Sequence, residues 1–276
     1  MKTIRYILSL TLLFVLQAPA AAQMQYPLSA AATESGEIFV ADRYLPGIWK
    51  IKDGKISLLF QGSKKFRTPL NAVRCVVLDR DGALIAGDTA TREVYRFDDS
   101  NNPIPLTDGG IGMPMSVAVN SKGELLVADL ELHRIWRVPA DGGRPEPLAD
   151  VQAPRGVVCD ADDHLWVVAQ GGKDQVVRIS PGGDVQVVVA GRPFQFPHNI
   201  VLAADDTAFV TDGFAKAVWK IPRGGKPEKW VSGDPLINPV GLAWRQENLI
   251  VVDPHAKAVF EITLEGRLQE LELTTD

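Results

Sequence analysis

The sequence predicts an all-β fold, a six-bladed β-propeller with four antiparallel strands in each blade. Six similar segments follow one another at intervals of 46, 41, 40, 43 and 42 residues, starting at Pro27, Val73, Pro114, Pro154, Pro197 and Pro239. A turn residue stands nine positions after every start, at Gly36, Gly82, Gly123, Asp163, Asp206 and Asn248. An Asp ends the second apolar stretch in five segments, at Asp42, Asp88, Asp129, Asp212 and Asp253. A period near 42 residues with several strands per unit is typical of propellers.

The residues before the first repeat have the pattern of a secretory signal peptide. Lys2 and Arg5 precede an apolar run of ten residues, 7–16, which is short for a bilayer-spanning helix. Ala20 and Ala22 then supply the small residues of a cleavage site. We therefore expect a signal peptide over residues 1–22 and a propeller over 23–276. The mature protein is expected to be extracytoplasmic, either periplasmic or secreted, without membrane insertion.

Each repeat contains the material for four strands. Five repeats carry an aromatic residue in the third strand, at Trp49, Tyr95, Trp136, Trp219 and Phe260, and the fourth repeat has Val177 there. A fourth apolar stretch, such as 56–60 or 185–189, completes the unit. The nearly continuous apolar runs favour blades that are buried on both faces. The fourth repeat also differs at Ala169 and Gln170, where the other repeats end the second strand with Asp.

Composition limits the classes of partner. Without Lys2 and Arg5 the chain has 27 basic and 34 acidic residues, a net charge of −7. Nucleic-acid binding requires a basic footprint, so we expect no nucleic-acid partner. Cys75 and Cys159 fall on first strands of non-neighbouring blades, which favours two buried free thiols over a disulfide. The expected partner is a small molecule or a protein, and the expected state is a monomer.

Antiparallel topology places the start of the first strand and the end of the second strand on one face, together with the loops that join successive blades. This face, called the mouth face below, is where loops converge on a rigid scaffold. The repeated Asp residues on it could bind a cation through oxygen ligands. Alternatively, they could cap turns within their own blades, which their repetition favours. Asp88 and Asp212 are the weak candidates for metal binding.

The residue after each repeat start differs between blades and is therefore more informative about function. It is Leu28, Arg74, Met115, Arg155, His198 and Val240 in turn. Arg74, Arg155 and His198 predict a pocket for a carboxylate, phosphate or sulfate group. Further basic, amide and aromatic candidates on the same face are Lys64, Lys65, Arg67, Arg192, Asn71, Asn199, Phe194 and Phe196. Alternatively, the arginines neutralise the Asp residues. His198 is the candidate catalytic residue, and the other histidines are expected to be solvated loop residues.

The repeat starts, the turn residues and the Asp residues resemble the NHL repeat. They are also similar to the repeats of SMP-30/gluconolactonase-like six-bladed propellers and, more faintly, of streptogramin lyase-like propellers. The resemblance covers residues 27–273. In the lactonase-like relatives it implies a divalent metal held by acidic and amide side chains near the strand starts. Arg74 and Arg155 stand at two of these positions and cannot ligate a metal, so the cofactor is left open and a divalent metal is disfavoured.

Three functions are compatible with these observations. The first is an exported propeller that binds a small, anionic ligand, a glycan or a partner protein on the mouth face. The second is a lactonase-like hydrolase, which the resemblance implies. The third is a lyase in which His198 acts as general base and Arg155 stabilises an enolate-like anion.

Overall fold

The computed structural model describes residues 24–65 and 67–275, which form six four-stranded antiparallel sheets around a central channel. Each sheet is made of four strands that are consecutive in the chain. The prediction of six blades with four strands each is confirmed. The expected signal peptide lies outside the described residues. Within the described part of the chain, no helix is long and apolar enough to cross a bilayer.

The first three blades contain strands β1 to β12. Blade one consists of β1 (Pro27–Ala32), β2 (Ile38–Asp42), β3 (Gly47–Lys52) and β4 (Lys55–Gln61). Blade two consists of β5 (Val73–Leu78), β6 (Leu84–Asp88), β7 (Glu93–Phe97) and β8 (Pro103–Pro105). Blade three consists of β9 (Pro114–Val119), β10 (Leu125–Asp129), β11 (Arg134–Val138) and β12 (Glu146–Asp150).

The second three blades contain strands β13 to β24. Blade four consists of β13 (Pro154–Cys159), β14 (Leu165–Ala169), β15 (Val176–Ile179) and β16 (Val185–Val189). Blade five consists of β17 (Pro197–Leu202), β18 (Ala208–Asp212), β19 (Ala217–Ile221) and β20 (Glu228–Ser232). Blade six consists of β21 (Gly241–Arg245), β22 (Asn248–Asp253), β23 (Ala258–Ile262) and β24 (Leu268–Glu270).

The first strands line the channel in chain order, and β21 packs beside β1 to close the ring. The second strands are buried along most of their length because each blade packs between two others. Apolar side chains fill the spaces between blades, as Val40 and Ile250 do between blades one and six. This two-sided burial explains why the strands have continuous apolar runs instead of strict alternation.

The C-terminal segment strengthens the closure between the last blade and the first. Thr274 forms a parallel bridge with Lys55. The Ile56 N–H donates to the Thr274 carbonyl at 2.8 Å, and the Thr274 N–H donates to the Gly54 carbonyl at 2.9 Å. Leu273 packs on the core between blades one and six. The end of the described chain is therefore attached to the first blade.

The turns between first and second strands follow the sequence prediction in five blades. Positive φ angles occur at Gly36, Gly82, Gly123, Asp163 and Asp206. The prediction is wrong for Asn248, which is the first residue of β22. In blade six Arg245 pairs with Asn248, so the turn is two residues long, and Gln246 takes the positive φ angle.

Candidate functional site

The mouth face is built on buried Asp carboxylates. One oxygen of Asp129 accepts hydrogen bonds from the Gly112 N–H at 2.7 Å and the Trp136 Nε1–H at 2.9 Å. The other oxygen accepts from the N–H groups of Met113 at 2.9 Å and Glu131 at 3.0 Å. The carboxylate thus connects the loop that enters β9 with the loop that leaves β10.

The other four repeated Asp residues have the same role. All of them are fully buried and accept backbone N–H groups from the loop that precedes their own blade: Asp42, Asp88, Asp212 and Asp253. Asp88, a weak metal candidate, also accepts from the Thr91 hydroxyl at 2.7 Å. Asp212, the other candidate, accepts from the Gln195 and Phe196 N–H groups, each at 2.8 Å. The hydrogen bonds therefore support the turn-capping alternative.

The six variable residues meet at the narrow end of the channel. They line a cavity of about 20 Å³ together with Ser29, Cys75, Ser116 and Asn199: Leu28, Arg74, Met115, Arg155, His198 and Val240. The expectation that these six residues lie around one mouth is confirmed. The cavity has room for about one water molecule, so the narrow end is a constriction, at which Arg74, Arg155 and His198 are half-buried.

Close approach of blades four and five brings Arg155 and His198 together. A Cβ atom on Gly156 would lie 2.5 Å from the Asn199 Cα and 2.9 Å from the His198 carbonyl oxygen, so only glycine fits there. The Asn199 N–H donates to the Thr211 hydroxyl at 3.0 Å. These contacts fix the backbone on either side of the histidine.

Arg155 is held by a neutral partner. Its Nε–H donates to the Gln170 Oε1 at 2.8 Å, and the Gln170 Nε2–H donates to the Pro197 carbonyl at 2.9 Å. Gln170 is one of the two residues at which the fourth repeat departs from the others. Among the described residues, neither Arg155 nor Arg74 makes an ion pair with a carboxylate. The alternative that these arginines neutralise the Asp residues therefore finds no support.

The electrostatics follow from burial beside like charges. Burial lowers the pKa of His198, and the charges of Arg155 and Arg74 lower it further, to about 3. Burial and the neighbouring Arg155 also lower the pKa of Arg74, to about 10. Arginine keeps its proton near pH 7, so both guanidinium groups are charged there, whereas a pKa of about 3 leaves His198 neutral. The His198 Nε2 is buried without a hydrogen-bond partner among the described residues.

Other predicted site residues support the surrounding loops. Arg192 donates to the carbonyl oxygens of Gly172 at 2.9 Å and Gln170 at 2.7 Å. Asn71 donates through Nδ2 to the carbonyl oxygens of Ser63 at 3.0 Å and Lys65 at 2.8 Å. Arg192 thus stabilises a loop of blade four, and Asn71 stabilises the loop before blade two that carries Lys64 and Lys65.

Of the two phenylalanines that were expected to form an apolar wall at the mouth, one lies there and the other does not. Phe194 is buried and packs edge-on against Trp219, with ring centroids 5.4 Å apart, so its predicted place in the pocket is wrong. Phe196 does lie at the mouth, where its ring contacts His198. Phe194 turns inward because the Gln175 side chain binds its backbone N–H at 2.9 Å and its carbonyl at 3.2 Å.

Sequence reasoning missed two features of this site. The sequence marks Gln170 as a departure from the repeat, but it does not indicate the contact of Gln170 with Arg155. Two stacked aromatic pairs at the mouth, Tyr26 with Tyr44 and Phe196 with Phe214, were also missed. The sequence does contain a pattern that indicates these pairs, because both pairs occupy the same two positions of the repeat.

The side chains at the constriction do not fit the divalent metal of lactonase-like relatives. Asn199 offers a neutral oxygen, but it accepts the Ile200 N–H at 2.8 Å. The guanidinium groups of Arg74 and Arg155 are cationic donors and repel a cation. Among the described residues that line this cavity, none carries a carboxylate.

The opposite half of the channel is wider. Its cavity of about 310 Å³ is lined by the far ends of the first strands, including Cys159. Both cysteines are free thiols as expected, but Cys159 is half-buried, whereas Cys75 is fully buried. The difference arises because Cys159 lies near the wide opening. Nearby, Asp160, Asp162 and His164 lie within 4.8 Å of one another in the turn after β13, where Asp160 already pairs with a guanidinium.

These features define a six-bladed propeller with an unneutralised basic site at one mouth. The sequence model of the virginiamycin B lyase family matches residues 66–276. The chain belongs to this family. No curated protein matches the chain.

Solved structures share the fold at low sequence identity. A catalytically inactive histidine-to-alanine variant of virginiamycin B lyase from Staphylococcus aureus with quinupristin is 17% identical with a TM-score of 0.68, over 90% of this chain and 85% of that one. A gluconolactonase from Xanthomonas campestris is 16% identical with a TM-score of 0.73, over 90% and 87%. A chain of a nidogen–laminin complex is 17% identical with a TM-score of 0.68, over 91% and 97%. One fold thus serves a lyase, a lactonase and a protein complex, so function must be argued from the site.

Proposed function

We propose that the mouth face binds a small ligand through a carboxylate or a similar anionic group. The observation that carries this proposal is the convergence of Arg74 and Arg155 on the neutral His198, with no carboxylate among the described residues that line the constriction. An anion at the rim accepts hydrogen bonds from the guanidinium groups. It also offsets the repulsion from Arg155, which adds to the effect of burial in lowering the pKa of Arg74.

A magnitude follows from the hydrogen bonds. A charge-assisted bond from arginine to a carboxylate contributes about 1.5–3 kcal/mol. Removing one such donor should therefore weaken binding by about ten- to hundredfold. Gln170 fixes the Arg155 guanidinium before the ligand arrives, which reduces the entropy lost on binding.

Calorimetric titration with a panel of sugar acids and simple monocarboxylates tests this proposal. Arg155→Gln and Arg74→Gln should each weaken binding by the stated factor. Arg144→Gln, a matched change at an exposed arginine in the loop before β12, should leave affinity unchanged. Unchanged affinity in both mouth variants, combined with reduced thermal stability, would mean that the arginines have a structural role.

Membership of the family favours a second candidate, a lyase reaction at the same site. A neutral His198 can accept a proton from the carbon next to a carbonyl group at a ring nitrogen that the ligand reaches. The electron pair of that C–H bond forms a double bond as the leaving group departs, and Arg155 stabilises the negative charge on oxygen. A pKa of about 3 makes His198 a weak base in the empty site, and a bound anion strengthens it by raising the pKa.

Isotope exchange tests the lyase candidate. In D₂O, a bound carboxylate should exchange the proton on its α-carbon, as observed by NMR, and His198→Asn should abolish the exchange. If a carboxylate binds but its α-carbon proton does not exchange, the lyase candidate is contradicted and a ligand-binding function is favoured. Lactonase-type hydrolysis is a weaker proposal, because the side chains at the constriction do not suit the metal that the lactonase resemblance implies.

We also propose that the chain is exported with cleavage before Gln23. The basic residues, the short apolar run and the small residues before this position support export. N-terminal sequencing of protein from an extracytoplasmic fraction should start at or near Gln23. A sequence starting between residues 1 and 16 would contradict the proposal.

A further inference from the structure

Two positions of the repeat carry side chains that contact each other on the mouth face of blades one and five. One is the residue before the repeat start, and the other is the second residue after the Asp position. Both are aromatic only in blade one, at Tyr26 and Tyr44, and in blade five, at Phe196 and Phe214. Since repeat-encoded structure does not require aromatic residues here, their presence in particular blades points to a function.

The two pairs have similar geometry. The rings of Tyr26 and Tyr44 stack with centroids 4.5 Å apart and planes 26° apart. The rings of Phe196 and Phe214 also stack at 4.5 Å, with planes 14° apart. His255 stands at the second of these positions in blade six, and its ring centroid is 6.1 Å from that of Tyr26. Blades five, six and one are consecutive around the ring, so these five residues, called the aromatic arc below, follow one another along the mouth face.

The outer rings of the aromatic arc face solvent. Tyr44 is 54% exposed and Phe214 is 67% exposed. Among the described residues, the large hydrophobic side chains that are exposed on the mouth face also include Leu132 and Ile237. The others lie on the outermost strands or, for Leu264, in the turn before β24. A stacked phenylalanine pair whose outer ring, Phe214, is exposed is suited to contact a planar group.

The aromatic arc is continuous with the basic site. The Phe196 ring packs edge-on against His198, with centroids 4.9 Å apart and planes 75° apart. The Arg155 Cζ lies 5.7 Å from the centroid of the Phe196 ring. The guanidinium lies over the Phe196 ring and Phe214 stacks on the same ring, so a ligand whose anionic group reaches Arg155 has its adjoining atoms beside this pair, with the outer face of Phe214 open to stacking.

We propose that the ligand is an aryl carboxylate, whose acid group binds Arg74 and Arg155 and whose planar ring stacks on the Phe196–Phe214 pair. This inference rests on the proposed anion-binding function and adds the chemical class of the ligand. The charged rim selects the carboxylate, and the stacked pair selects a flat ring over a saturated one of equal size. Aromatic stacking supplies about a three- to tenfold preference.

Matched ligands separate the two claims. Calorimetric titration should compare 2-naphthoate with decalin-2-carboxylate, which has the same skeleton without a planar ring, and with the neutral 2-naphthamide. The unmodified protein should bind 2-naphthoate about three- to tenfold more tightly than decalin-2-carboxylate. It should bind the amide at least tenfold more weakly than 2-naphthoate, because the amide lacks the charge.

Protein variants then show which residues cause the preference for a planar ring and which cause the affinity for a carboxylate. Phe214→Leu keeps apolar area but removes the ring, so it should abolish the preference for 2-naphthoate and leave decalin-2-carboxylate affinity unchanged. Arg155→Gln should weaken both carboxylates to the same extent. Leu132→Ala, a change to an exposed apolar residue outside the aromatic arc, should preserve the preference.

The outcomes are distinguishable. If neither carboxylate binds, the proposed anion-binding function fails, and this inference fails with it. If both bind equally and Phe214→Leu changes neither affinity, the aryl-carboxylate inference is overturned while anion binding stands. An equal loss of both ligands in Phe214→Leu also overturns it, because the ring then contributes only apolar area.

Discussion

Replacing His198 with Asn should reduce the loss of stability that the protein undergoes in acid. The pKa of His198 is about 3 in the folded protein and 6.5 in its ordinary state. The unfolded chain therefore takes up a proton first, and acid favours unfolding between pH 6.5 and pH 3. Above pH 6.5 the residue is neutral in both states and contributes no pH dependence. Between pH 7.5 and pH 5 the linkage amounts to about 2 kcal/mol.

Urea unfolding at pH 7.5 and pH 5 measures this effect. The free energy of unfolding should fall by about 2 kcal/mol more in the unmodified protein than in the His198→Asn variant. Other titrating groups are common to both proteins and cancel in this difference. His255→Asn, at an exposed histidine of the same face, is the control and should keep the full dependence. Parallel pH profiles for the unmodified protein and His198→Asn would refute the reasoning, because they would mean that burial and the arginines do not hold the imidazole neutral.

Three further predictions concern the scaffold. Asp129→Ala leaves backbone and indole donors without an acceptor, so it should lower the free energy of unfolding in urea by about 3 kcal/mol or more. The control Asp141→Ala, at an exposed turn, should change this free energy by less than about 0.5 kcal/mol. Equal effects would contradict the capping role. Burial raises the pKa of both Cys75 and Cys159 to about 12, so both thiols should resist Ellman's reagent at pH 8 and react in denaturant. Rapid reaction of the native protein would contradict the position of Cys159 described above. Thr274→Pro removes the hydrogen bond that the Thr274 N–H donates to Gly54 of blade one and should lower the Tm in calorimetry by about 2–4 °C. An unchanged Tm would mean that this hydrogen bond adds no stability.

The propeller was predictable because its causes are local and repeated. Each Asp caps loops of its own blade, so the same residue recurs wherever the same turn must form. Antiparallel pairing fixes which residues share a face, so the sequence alone predicts that Arg155 and His198 lie at one mouth. The turn of blade six was mispredicted because its shorter hairpin shifts the positive φ angle from Asn248 to Gln246.

The details of the site depended on contacts that a repeat pattern does not encode. Gln170 is visible as an exception in the sequence, but its bond to Arg155 crosses the hairpin between β13 and β14. Phe194 and Phe196 lie in a loop, where no periodicity indicates which side chain turns inward. The stacking of Phe196 on Phe214 depends on side-chain rotamers, although the positions of the two residues in the repeat indicate that they are neighbours.

The most direct test of the central claim is a crystal structure of the protein soaked with 6-bromo-2-naphthoate, with anomalous data collected at the bromine edge. The account predicts a carboxylate within hydrogen-bond distance of the Arg74 and Arg155 guanidinium groups and a bromine peak above the Phe196–Phe214 pair. A ligand bound in the wide opening near Cys159 or at surface lysines, with both arginines unliganded, would contradict it.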